Sequence, residues 1–113
     1  MNDMVIINAF GAAGAKLYST PIKVGDQLNA LQVALTLFSG SVATSNAVVV
    51  EMSNDLVNWS SSGATQSANF NALTGPNYAQ ANVTGVSARY ARVVVTMGTG
   101  AGIVNVSAAP NRV

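Results

Sequence analysis

Histidine and cysteine are absent from this 113-residue chain, and charge is scarce, with five Lys and Arg against four Asp and Glu. Each absence removes a class of chemistry. Without imidazole no side chain of ordinary pKa exchanges protons near neutrality. Without thiols there is no thiolate nucleophile, no thiolate metal ligand and no disulfide. The carboxylates (Asp3, Asp26, Glu51, Asp55) and the bases (Lys16, Lys23, Arg89, Arg92, Arg112) are scattered along the chain. No catalytic group, no cofactor and no metal is therefore expected, and an enzyme reading is left with Glu51 and Asp55 alone. Neutralising phosphates takes clustered Lys and Arg, so nucleic acid is not an expected partner. Long apolar runs are missing as well. The longest stretches have four residues, such as Ala47–Val50, whereas a membrane-crossing helix needs ~20. Asp3 stands where a secretory signal carries basic residues, so no signal peptide is expected.

What the chain does have is neutral polarity. Twelve Asn, eleven Ser, eight Thr and four Gln carry the solubility, and only 8% of residues are charged against about 25% in a typical soluble domain. Half the residues are hydrophobic. A weakly charged, moderately apolar surface favours close contact with other protein surfaces, because little desolvation of charge opposes it. The length suits one domain with its own core.

Short runs of period-two alternation recur between Gly, Ser, Asn and Pro punctuation, the pattern of an all-β domain. Val5–Phe10 is the first run, stopped by Gly11-Ala12-Ala13-Gly14. Lys16–Ile22 is extended, and its Pro21 suits an edge or a bend. Leu31, Val33, Leu35 and Leu37 share one face of a strand; a helix capped by Asp26 and running to Ala34 is the competing reading. Ala47–Ser53 turns Val48, Val50 and Met52 inward. Residues 60–74 read as a loop with one short strand at Asn69–Leu73. Tyr78–Val83 follows as a strand. Ala88–Met97 has Ala91, Val93, Val95 and Met97 on one face, and Gly98–Gly102 joins it to Ile103–Ala108 as a hairpin. Seven to eight short antiparallel strands imply two packed sheets, a β-sandwich of jelly-roll type. Residues 1–113 form a single domain in this reading, with 1–22 as an N-terminal arm or edge strands.

Three motifs have bland explanations. Gly98–Gly102 precedes a strand rather than a helix, so it is a turn and not a phosphate cradle. Asn58-Trp59-Ser60, Asn82-Val83-Thr84 and Asn105-Val106-Ser107 match the glycosylation acceptor by chance in so Asn-rich a chain. Asn54 and Asp55 are residues that cap tight turns through their side chains. Trp59 is then expected to pack over that turn and close one end of the sandwich. A lone aromatic makes a poor sugar platform, and Asp55 is a poor calcium ligand without companion carboxylates.

Val50-Glu51-Met52-Ser53-Asn54-Asp55 with Trp59, followed by Ala88-Arg89-Tyr90-Ala91-Arg92-Val93, resembles the two signature strands of discoidin-type jelly rolls. The similarity covers roughly Leu31–Ala108 in layout and about a dozen positions in detail. Discoidin domains are longer and usually disulfide-closed, with N-terminal loops that bind glycans or lipid; this chain lacks the cysteines and the room for such loops. Short cysteine-free chains carrying the same two strands resemble small tailed-phage virion proteins. That resemblance implies capsid decoration or another structural part of the particle, assembled in the host cytoplasm.

The strand faces lead to the same expectation. With Val93 and Val95 inward, Val94 points outward beside Tyr90 and Arg92. With Val48 and Val50 inward, Val49 points outward beside Glu51. Apolar residues on both faces imply a covered outer surface. The cover is either a neighbouring subunit or the chain's own termini, with Met4–Ile7 as the local cover or as an exchanged arm. Val5, Ile6, Val49, Tyr90, Arg92 and Val94 are accordingly the candidate interface, and Arg89 and Arg92 are either solvated or paired with Glu51 or Asp55. Expected partners are further copies of the chain, a trimer among the options, and other virion proteins such as a major capsid protein. The alternative is a carbohydrate-binding module of a tail or fibre component, which requires Trp59, Tyr78 or Tyr90 exposed together at a concave site.

Overall fold

The computed structural model describes residues 4–24, 29–61 and 68–111. Eight strands follow one another: β1 (Met4–Gly11), β2 (Lys16–Tyr18), β3 (Ile22–Lys23), β4 (Ala30–Leu37), β5 (Val48–Ser53), β6 (Asn77–Thr84), β7 (Tyr90–Thr96) and β8 (Gly102–Asn111). They build two antiparallel sheets. One has four strands in the order β1-β8-β4-β6; in the other, β7 lies between β5 on one side and β2 and β3 on the other. Apart from β2 to β3, every connection crosses from one sheet to the other, so the chain laces the sandwich shut.

The alternation that marks each strand in the sequence is the alternation that fills the core. Leu31, Val33, Leu35 and Leu37 of β4, Val48, Val50 and Met52 of β5, and Ala91, Val93, Val95 and Met97 along β7 are all buried between the sheets. β4 is a strand, and the helix alternative from Asp26 falls, because period two puts all four of its large residues on the core side. Residues 25–28, Asp26 among them, lie outside the described residues.

β2 and β3 are one edge strand interrupted at Thr20-Pro21. Proline cannot donate to a ladder, and an edge leaves that side free. Ser19 holds the break together: its amide donates to the Val93 carbonyl at 2.9 Å, while its Oγ accepts from the Val93 amide at 2.8 Å. A side chain thus replaces the backbone acceptor where the strand departs from register.

Four expectations require correction. Gly98–Gly102 is not a hairpin, since β7 and β8 belong to different sheets. The segment is a corner packed along Ser39–Val42: Gly100 and Ser41 exchange hydrogen bonds, and the Ile103 carbonyl accepts from the Phe38 amide at 2.9 Å. A Cβ on Gly102 would fall onto the Ser39 carbonyl, so only glycine allows the crossing. Asn69–Leu73 is not a strand. Ala68–Phe70 forms a single 3-10 turn that delivers the fully buried Phe70 to the core. Met4–Ile7 neither covers the other sheet nor leaves the fold as an arm; it lies within β1 and pairs with β8. Finally, Ile6 is a core residue. The register shifts between Val5 and Ile7, and that bulge lets the consecutive Ile6 and Ile7 both turn inward. The side chain of Val5 lies outside the described residues.

Candidate functional site: two unlike outer faces

The outer face of the sheet formed by β2, β3, β5 and β7 carries most of the candidate residues. Register places Val49 opposite Val94, Glu51 opposite Arg92 and Ser53 opposite Tyr90, while Tyr18 flanks Val94 from the far side. Arg92 organises this face. Its guanidinium sits over the Trp59 ring at 4.3 Å and over the Tyr18 ring at 4.7 Å. Its Nε donates to Glu51 Oε1 at 2.7 Å, and a second guanidinium nitrogen reaches the same oxygen at 2.6 Å. A planar cation held between two rings and fixed edge-on by a carboxylate is a rigid, self-satisfied unit. Val94 is buried beside it. This apolar outward residue therefore has its cover within the chain, largely without help from a neighbour.

Trp59 reaches Arg92 because of the loop that carries it. Met52 and Ser60 exchange backbone hydrogen bonds of 2.7 and 3.0 Å, closing residues 53–59 into a compact loop. Ser53 Oγ accepts from the amides of Asp55 and Leu56 and donates to Asp55 Oδ1. Asp55 Oδ1 also accepts from the amides of Val57 and Asn58, and its Oδ2 from the Asn58 side chain. These backbone donors, Asn58 first and Val57 second, hold the Asp55 carboxyl well below the usual carboxylate range. Asn54 Oδ1 accepts from the Arg89 amide, tying the loop to the start of β7. The turn-capping role expected for Asp55 is thus present, whereas Asn54 bonds across to Arg89 and the second local cap is Ser53. Trp59 differs from expectation: it lies on the sheet face against Arg92, not across the end of the sandwich.

Beside this cluster is a cleft of about 290 Å³ between Lys16, Glu51, Asn46 and Val94. A larger, open depression of about 770 Å³ lies at the end of the sandwich where the glycine corner meets Val42 and Met97, and its lining holds no ionisable side chain. Among the described residues, no three His, Cys, Asp or Glu side chains come together as metal ligands would. The aromatics required for sugar stacking are not assembled: Tyr78 is on β6 of the opposite sheet, and Trp59 gives a face to Arg92.

The outer face of the four-stranded sheet is different in kind. Phe10 of β1 pairs with Ile103 of β8, Ile103 is bonded to Phe38 just beyond β4, and Tyr78 of β6 pairs with Thr36, two residues from Phe38. These four form a band across all four strands, and they are 66%, 46%, 55% and 56% exposed. The rest of the described face is Asn8, Ala30, Gln32, Ala34, Thr36, Gln80, Asn82, Thr84, Asn105, Ser107 and Ala109, none of them charged, with Ala30 and Ala109 buried at the end away from the band. Every described charged residue lies elsewhere: Lys16, Lys23, Glu51 and Arg92 on the other sheet, Asp55 and Arg89 in loops beside it. Sequence reasoning missed this band. Its members come from β1, β6, β8 and the residue just after β4, and only the strand order makes them neighbours.

Compared with protein-family models, curated proteins and solved structures, the chain matches none. Its functional reading rests on its own residues.

Proposed function

We propose that this chain is a non-enzymatic structural protein of a virus particle, a phage capsid decoration or cement protein that acts through subunit contacts. One observation carries the proposal: a sheet face whose described residues carry no charge, crossed by a band of four half-exposed large apolar side chains. Solvated faces of antiparallel sheets are normally polar and charged, and contiguous apolar exposure marks an interaction surface. Burying the exposed halves of these side chains contributes roughly 1 kcal/mol each. Repetition over a particle multiplies such modest contacts. The absence of His and Cys supports a passive role, and the two signature strands support the virion setting through their resemblance.

The carbohydrate-binding reading has less support, because Trp59, Tyr78 and Tyr90 do not share one concave site. Electron microscopy of particles assembled with and without the protein is the test. Added density at regular positions, together with greater resistance of the particle to heat, is the expected result. A protein that adds no density to any particle, or that binds glycans as a monomer, would overturn the proposal.

A further inference from the structure

We infer that the uncharged face of the four-stranded sheet docks against the same face of a second copy of this chain, about a two-fold axis lying along the strands between β8 and β4. The inference rests on the assembly role proposed above and names its partner and geometry.

The choice of occupant follows from charge. A face with no ionic groups among its described residues is matched without burying an unpaired charge only by another uncharged surface. The other broad face of the molecule carries Lys16, Lys23, Glu51 and Arg92, so it does not qualify. The four-stranded face matches itself, and a two-fold contact brings one patch against its own copy.

The axis follows from the strand order. Across the sheet the band runs Phe10, Ile103, Phe38, Tyr78 on β1, β8, β4 and β6. Rotation about an axis along the strands reverses that order and keeps the height. Ile103 then meets Phe38 of the second copy, and Phe10 meets Tyr78 of the second copy. Below the band the faces continue to overlap, with the small residues Ala34 and Ser107 near the axis and amides such as Asn8 and Gln80 toward the edges, as far as Ala30 and Ala109, which are already buried in the single chain. An axis across the strands would superpose only the band and leave the lower halves of both faces in water.

Size sets the strength. Strands of about eight residues at ~3.3 Å per residue, spaced ~4.8 Å apart, give a face of roughly 500 Å². Two such faces bury at most roughly 1,000 Å² in total, at or below the lower bound for a specific interface. The pair is therefore weak in free solution and effective where copies are held close together.

Because the chain has no cysteine, single-cysteine variants report the geometry without background. Phe10→Cys and Tyr78→Cys are purified separately, mixed, and treated with a short bismaleimide matched to the ~10 Å separation of facing sheets. The mixture is expected to yield a covalent dimer. Each variant alone is expected to stay monomeric, since like residues on the two copies are offset sideways by a further ~14 Å, three strand spacings. In sedimentation, Phe38→Glu is expected to weaken self-association of the otherwise unaltered chain by roughly tenfold or more, with an unchanged melting temperature. Self-association that survives Phe38→Glu, with no cross-linking in the mixture, would overturn this arrangement and leave the assembly role standing through another surface. A wild-type chain that stays monomeric at every concentration also overturns it. Only the particle experiment above decides the role itself.

Discussion

Asp55 shows how one side chain organises a loop. Its carboxylate accepts from the Val57 and Asn58 amides and from the Asn58 side chain, while Ser53 Oγ donates to it and accepts from the Asp55 and Leu56 amides. The arrangement is local in sequence, and so it could be read in advance from the Asx-rich string itself. It also has a pH signature. The folded carboxyl titrates below its unfolded value of about 3.9, so its contribution is complete above that pH and is lost as the pH falls further. Replacing Asp55 by Asn removes the charge and keeps one acceptor. The melting temperatures of wild type and Asp55→Asn should therefore differ most near neutrality and converge as the pH drops through the acid range below 3.9. A difference that stays constant from pH 7 to pH 2 would show that the ionised carboxylate is not what the loop amides hold.

At the scale of elements, the β5–β7 pair supports the Arg92 cluster, and β2 adds Tyr18 to it. The pairing of Arg92 with Glu51 was one of the options open in the sequence, and cross-strand register selects it over Asp55, which is committed to its own loop. The pair is about a quarter exposed, at 24% and 26%. A double-mutant cycle of Arg92→Ala and Glu51→Ala should return a coupling of ~0.5–1 kcal/mol. Trp59 is the only tryptophan, so its emission should shift to the red in Arg92→Ala as the ring loses its cover. An unshifted spectrum would mean that the stacking is not populated in solution. Phe70 makes the opposite lesson. It lies in a polar stretch read as a loop with a short strand at Asn69–Leu73, and nothing local marked it as core, yet it is fully buried and its 3-10 turn packs against β6. Phe70→Ala should cost ~3–5 kcal/mol, read as a lower denaturant midpoint with an unchanged slope. A loss within ~0.5 kcal/mol would place the ring outside the core.

At the scale of the whole molecule, the described charged residues all lie on one side of the sandwich. Contacts made through an uncharged face have no Coulomb term for salt to screen. Self-association measured by sedimentation should therefore change by less than about threefold between ~0.05 and ~1 M sodium chloride, and should strengthen in sulfate, which favours apolar burial. A steep weakening with salt would instead assign the contact to the Arg92 face.

The periodicity of β4, β5 and β7 was enough to specify strands, their inward faces and hence a two-sheet sandwich, because burial on one side forces alternation within each strand. Local chemistry likewise settled the Ser53–Asp55 turn and the break at Pro21. Pairing between strands far apart in the chain was beyond that reach. Only the tertiary structure turned the Gly98–Gly102 segment from a hairpin into a corner between sheets, moved Ile6 into the core through a bulge, and set Phe10, Phe38, Tyr78 and Ile103 side by side. Neighbourhood across a sheet is a property of strand order, and strand order comes from how the two sheets close on their shared core, not from any single run of residues.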